Sequence, residues 1–97
     1  MIKVLKSDNQ IILSGHSDYD DLGKDIVCSA VSCIMITTVN AIMKIDSKAI
    51  SYKRYSDISE INIISKDKIT MNLLDNMMEL LNDLCKKYPK NIIVKER

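Results

Sequence analysis

Short stretches in which apolar and polar residues alternate occur at both ends of the chain and in its middle, a pattern typical of half-buried β-strands. Residues 1–7 (MIKVLKS) and 11–16 (IILSGH) flank the turn-forming DNQ and predict a hairpin. Residues 49–56 (AISYKRYS) and 60–65 (EINIIS), joined by DIS, predict two further strands. Residues 91–97 (NIIVKER) predict the last strand.

Two longer stretches have apolar residues at helical spacing. Asp25 is predicted as the N-cap of the first helix, which extends to about Ile45 and is apolar around most of its circumference. From about Thr70 the apolar residues recur three and four positions apart, and this second helix is predicted to end at Pro89. The predicted order is ββαββαβ. It indicates an α+β fold with a mixed or antiparallel sheet and two helices packed on one face.

The chain has 97 residues and contains no repeat, low-complexity tract or Pro/Gly/Ser-rich linker, so residues 1–97 are expected to form one domain. The net charge of +1 argues against a dedicated nucleic-acid binder, because such proteins usually carry a strongly basic face. Residues 26–45 are the longest apolar stretch, but six polar residues interrupt it. We therefore interpret it as a buried helix of a soluble protein and not as a membrane span.

The cysteine content indicates the compartment. The three cysteines include no CxxC pair, and the first residues contain no apolar stretch long enough for a signal peptide. These features favour a reducing cytoplasm in which the thiols are free.

Rare residues are concentrated in residues 15–32, GHSDYDDLGKDIVCSAVS, which contain the only histidine, both glycines and one of the three cysteines. A thiolate is stabilised in the first turn of a helix or beside an imidazolium. If Asp25 is the N-cap, Cys28 is the third helical residue, where free backbone N–H groups favour an anion. His16 ends a strand, and a loop can fold it back against the helix start. The pattern therefore predicts a thiolate–imidazolium pair.

Three further residues support this arrangement. Gly15 and Gly23 bracket the predicted loop and supply backbone freedom at its two ends. Ser32 lies one helical turn beyond Cys28 on the same face, where its hydroxyl can donate a hydrogen bond to the thiolate or to a substrate.

Other interpretations remain open on spacing alone. A cysteine in a helix is more often a small buried hydrophobe than a nucleophile, and Cys33 and Cys85 fit that description. A thiol redox sensor that uses Cys28 is a further hypothesis, although Cys33, five positions on, is not a CxxC partner.

Metal sites are not expected. Residues 18–23 (DYDDLG) are similar to the start of an EF-hand loop, but Leu22 and Ser29 stand where calcium requires oxygen ligands from acidic or amide side chains. One histidine with three scattered cysteines does not have the spacing of a zinc site. No cofactor motif is present.

The same stretch resembles the signature of the ribosomal-processing cysteine protease (Prp) family: Gly-His, a variable loop, then Gly-x-Asp-Ile-Val-Cys-x-Ala-Val-Ser. The matching residues are Gly15, His16, Gly23, Asp25, Ile26, Val27, Cys28, Ala30, Val31 and Ser32. The resemblance covers the whole chain in length and element order. One departure is Ser17, which stands where the family commonly has alanine.

The resemblance implies a bacterial cytoplasmic endopeptidase that removes a short N-terminal extension from large-subunit ribosomal protein twenty-seven, cutting after an aromatic-rich site. It implies that Cys28 is the nucleophile and His16 the general base, with Asp25 as helix cap or orienting residue and Ser32 as support. No cofactor, membrane or direct nucleic-acid partner is expected.

The resemblance also implies a homodimer, which suits a first helix too apolar for one small sheet to cover. The chain has no Phe or Trp, so a pocket for substrate aromatics is expected to be aliphatic or lined by methionine, with help from Tyr19. The alternative function is a non-catalytic, ribosome-associated binding module in which the Cys/His motif is structural.

Overall fold

The computed structural model describes residues 1–15 and 22–97, with the side chains of 22–25 excluded. In this part of the chain two helices and a five-stranded sheet follow one another in the predicted order ββαββαβ. The elements are β1 Ile2–Lys6, β2 Gln10–Ser14, α1 Leu22–Ile45, β3 Ile50–Tyr55, β4 Ile58–Ile63, α2 Lys68–Lys87 and β5 Ile92–Glu96.

The strands are arranged in the order β3-β4-β2-β1-β5. Three of the neighbouring pairs are antiparallel, and β1 with β5 is parallel, so the sheet is mixed. The alternating pattern buries one face: Val4 lies opposite Leu13, Ile11 lies opposite Ile61, and all four are buried. The strand prediction is therefore confirmed.

Both helices pack with this face and contact each other. The buried residues that they contribute to the common core include Val27, Val31, Met35, Val39 and Ile42 of α1 and Leu74, Met77, Met78 and Leu81 of α2. Since one cluster contains side chains from both helices and from the sheet, the described residues share a core between a helical layer and a sheet layer.

Helix α1 differs from the prediction at its start. It begins at Leu22, so Asp25 is its fourth residue and not its N-cap, and Cys28 is its seventh residue and not its third. Gly23, expected in the loop, lies in the first turn. Acidic residues are favoured both at the N-cap and in the first turn, so the presence of Asp25 does not distinguish the two positions. The N–H groups of the first turn have no intrahelical partner, whatever residue is there.

Helix α1 is also less buried than expected. Residues 26–45 are long and apolar enough to cross a membrane by length and composition, and 33% of the segment is buried within the protein. One stripe, which includes Met35 and Ile42, lies in the core, whereas Ile36 and Cys33 on other sides are exposed. The description of Cys33 as a buried hydrophobe was wrong, because α1 is apolar on a side that the sheet does not reach.

The second helix is capped at both ends. The Asp67 carboxylate accepts a hydrogen bond from the Thr70 backbone N–H at 2.9 Å, and the Ser65 hydroxyl donates to it at 2.7 Å. These bonds, chiefly the one from Thr70, hold the pKa of Asp67 below its ordinary value. At the other end the Tyr88 N–H donates to the Leu84 carbonyl, and Pro89 follows as predicted.

Candidate active site

Cys28 is half-buried on α1 and lies at the wall of an open cavity of about 200 Å³. Side chains and backbone from β1, β2, α1 and the β3–β4 hairpin enclose this space. The lining residues are Ile2, Leu13, Ser14, Gly15, Cys28, Val31, Ser32, Met35, Arg54, Ser56, Asp57 and Ser59. The cavity therefore adjoins a thiol on one wall and a hairpin on another.

The structure brings together three of the residues singled out in the sequence: Cys28, Ser32 and Gly15 all line this cavity. Ser32 lies four positions after Cys28 on α1, which places both side chains on one face of the helix. His16 and Tyr19 lie outside the described residues, as does the side chain of Asp25. The pairing of His16 with Cys28 therefore stays a prediction.

Gly15 has a more specific role than loop freedom. Its φ of +102° is a conformation that residues with a side chain rarely adopt, and a Cβ at this position would overlap the carbonyl oxygen of Met1. The close approach places the end of β2 against the start of β1.

The cavity contains residues that the sequence analysis missed. Arg54, Ser56 and Asp57 belong to the β3–β4 hairpin, which closes with Tyr55 opposite Ile58 and has Ser56 at a positive φ of 55°. The predicted DIS connection was thus too long, because its last two residues belong to β4. A run of polar residues at a hairpin turn indicates the turn itself. It does not indicate that the turn packs beside residue 28.

Cys28 lies too far along α1 for the start of the helix to stabilise a thiolate. The influence of the helix dipole and of the free N–H groups falls off within the first turn. Because Cys28 is the seventh residue of α1, the helix start does not supply the anion stabilisation that the sequence analysis assumed. Stabilisation by an imidazolium, the other source predicted from the sequence, stays a prediction because His16 lies outside the described residues.

The other two cysteines are placed differently from Cys28. Cys33 is exposed on α1, and Cys85 of α2 is half-buried and donates a hydrogen bond from its Sγ to the Ile92 carbonyl at 3.3 Å. Within the described residues, no group of three or more His, Cys, Asp or Glu side chains is arranged to hold a metal ion. Of the three cysteines, Cys28 is the one that lines the cavity described above.

The sequence of this chain is similar to those of known cysteine proteases. The model of the family described as cysteine protease Prp matches residues 1–93. The ribosomal processing cysteine protease Prp of Staphylococcus aureus is 29% identical over 85 residues, which are 84% of this chain and 80% of that protein.

Solved structures agree in fold. Two crystal structures of the S. aureus protease, each 24% identical and covering 100% of both chains, superpose with TM-scores of 0.91 for the complex with a substrate peptide and 0.89 for the complex with a covalently linked product peptide. A Streptococcus mutans protein that is 20% identical has a TM-score of 0.78 over 98% of this chain and 90% of its own. The architecture described above is thus shared with these proteins.

Proposed function

Since this chain belongs to the cysteine protease Prp family and is a cysteine protease, we propose that Cys28 cleaves the N-terminal extension from large-subunit ribosomal protein twenty-seven. The proposal depends on one observation. Cys28, which is the cysteine of the family motif, is the cysteine that lines the cavity. The S. aureus relative is named a ribosomal processing protease, which supports this class of substrate.

In the proposed reaction the Cys28 thiolate attacks the carbonyl carbon of the scissile peptide bond. The bond to nitrogen breaks, and the imidazolium of His16 gives its proton to the leaving amine. The N-terminal part of the substrate is left as a thioester on Sγ. Water then attacks the thioester carbonyl while His16 accepts one proton from the water, and the bond between carbon and Sγ breaks. The thiolate–imidazolium pair is restored, and the carboxylic acid that leaves gives its remaining proton to solvent and becomes a carboxylate. The Ser32 hydroxyl is proposed as a donor beside the reacting atoms.

The apolar side of the cavity provides a place for a substrate side chain. Ile2, Leu13, Val31 and Met35 line it. This aliphatic and methionine-lined wall is suited to an aromatic ring, because a thioether and branched alkyl groups make favourable contacts with aromatic surfaces. We propose that it receives an aromatic residue from the cleavage site.

The test compares cleavage of the extended ribosomal protein by wild-type protein and by Cys28→Ala. We expect the N-terminal peptide to be released by the wild type, and release to be lost in Cys28→Ala and reduced in His16→Ala. Cys33→Ala is the matched control, because it removes an exposed thiol from the same helix and should leave cleavage unchanged. Continued cleavage by Cys28→Ala would refute the assignment of the nucleophile. Absence of cleavage by all four proteins would refute the extended ribosomal protein twenty-seven as the substrate.

We also propose that the protein is a cytoplasmic homodimer whose subunits pair through the exposed side of α1. The free thiols support a reducing compartment, and the exposed stripe supports pairing. Its members are exposed and spaced alternately three and four positions apart, as in a coiled-coil seam: Ile26, Ser29, Cys33, Ile36, Asn40 and Met43.

The stripe is complementary to itself in an antiparallel arrangement about a two-fold axis between residues 34 and 35. In that register Ile26 faces Met43 of the second copy, and Ser29 faces Asn40 of the second copy. Apolar residues thus meet apolar residues and polar residues meet polar residues, as a two-fold interface requires.

Disulfide trapping tests this register. In a Cys33→Ala background, the double variant Ser29→Cys/Asn40→Cys should form covalent dimers on mild oxidation, and each single variant should form far fewer. Ile36→Asp should convert the protein to monomers in sedimentation velocity. Ile69→Asp is the control, because Ile69 is an exposed isoleucine of α2 outside the stripe. Equal cross-linking of the single and double variants would contradict the register.

A further inference from the structure

Arg54 lines the Cys28 cavity because of strand register. Arg54 on β3 pairs with Ser59 on β4, and Ser59 pairs with Leu13 on β2, so the three residues share the helix-covered face of the sheet. All three line the cavity. The neighbouring Lys53 pairs with Glu60 and points to the opposite face.

Arg54 has hydrogen-bonding capacity available for a ligand. It is exposed, and within the described part of the chain it has no hydrogen-bond or ion-pair partner. Asp57 lines the same cavity, but it has an interaction of its own within the protein. Arg54 is the one cationic side chain among the described residues that line the cavity. A guanidinium presents a planar set of donors that matches the two oxygens of a carboxylate.

We infer that Arg54 is a specificity-determining residue that binds a carboxylate of the peptide held in the Cys28 cavity. This inference rests on the proposed function for the presence of that peptide. The carboxylate has two possible sources: an acidic side chain beside the cleaved bond, or the new C-terminal carboxylate that forms when the thioester is hydrolysed. The first source makes Arg54 a selector of substrates, and the second makes it a site of product inhibition.

The test measures binding of fluorescent peptides to the Cys28→Ala protein, so that no cleavage occurs. The two peptides of the first pair have two phenylalanines at the centre and differ at one flanking position, which is Gln in one peptide and Glu in the other. The comparison is made separately at each flank. A second pair ends at the phenylalanines and differs by a free carboxylate or an amide at its C-terminus. Each pair isolates one source of the carboxylate.

We expect the acidic member of at least one pair to bind about three- to five-fold more tightly, which is the range of a solvent-exposed ion pair. Arg54→Gln should abolish that preference and Arg54→Lys should retain part of it. The preference should also decrease at high salt, because mobile ions screen exposed charges. Lys53→Gln is the matched control, since it removes the same charge one residue away on the opposite face.

Each result has a definite meaning. Equal binding of the acidic and neutral peptides in both pairs would overturn the inference, as would failure of all peptides to bind or an equal loss of preference in Lys53→Gln. Far-UV circular dichroism verifies that the variants are folded, and Arg54→Lys provides the readout if Arg54→Gln is not. A retained preference for acidic peptides, with no cleavage of the extended ribosomal protein by the wild type, would contradict the proposed function and support the role of Arg54.

Discussion

Gly15 provides a test of how the backbone beside the cavity is held. In Gly15→Ala the new residue must adopt a φ of +102°, and its Cβ meets the Met1 carbonyl oxygen and lies 3.2 Å from the Ile2 Cα. A residue forced into such a conformation costs about 1–3 kcal/mol, and the overlap with backbone adds to that cost. The lower entropy of the unfolded chain offsets about 0.4–1 kcal/mol. These two ranges leave a net loss of up to about 2.6 kcal/mol. Because the steric overlap adds to it, the expected loss of unfolding free energy lies at the upper end, about 2–3 kcal/mol.

Thermal unfolding followed by circular dichroism measures this loss. For a domain of this size, 1 kcal/mol shifts Tm by about 4–8 °C, so a decrease of roughly 10–20 °C is expected. Because Gly15 directly precedes His16, cleavage at a temperature at which the variant is folded should fall as well.

Ser56→Gly is the reciprocal control, since it introduces glycine at a position with a φ of 55° that also borders the cavity. Relief of the serine strain and the entropy cost of glycine are both on the order of 1 kcal/mol and oppose each other, so little change is expected. Wild-type stability of Gly15→Ala would refute the reasoning from φ and steric overlap.

Two further predictions concern stability. The Tyr52 hydroxyl is buried without a hydrogen-bond partner among the described residues. Tyr52→Phe should therefore leave the unfolding free energy, measured by urea denaturation, unchanged or raise it by up to about 1 kcal/mol. A clear decrease in the unfolding free energy would show that the hydroxyl has a partner. The folded-state pKa of Asp67 is lowered from its ordinary value of 3.8, so its contribution to stability is present above pH 3.8 and is lost as pH falls through the folded-state pKa. Asp67→Asn should keep the helix cap at neutral pH and show a flatter decline of Tm below pH 4, whereas an unchanged acid profile would contradict this role.

The type and order of the elements were predictable from local patterns in the sequence. Alternation in β1 and β4 and the three-and-four spacing of Leu74, Met77, Met78 and Leu81 are local patterns, and burial of one face follows directly from them. The motif from Gly23 to Ser32 likewise indicated the family and the cysteine to consider, because its residues are close together along the chain.

The residues that share the cavity with Cys28 depend on contacts between elements that are distant in sequence. Arg54 and Asp57 reach it only because β3 pairs with β4 and β4 with β2, and strand order and register join residues far apart in sequence. The exposure of Cys33 likewise depends on such contacts, since an apolar helix face does not reveal whether the sheet covers it. The spacing of apolar residues in the sequence indicates which side of an element is apolar. The packing of distant elements determines what that side contacts.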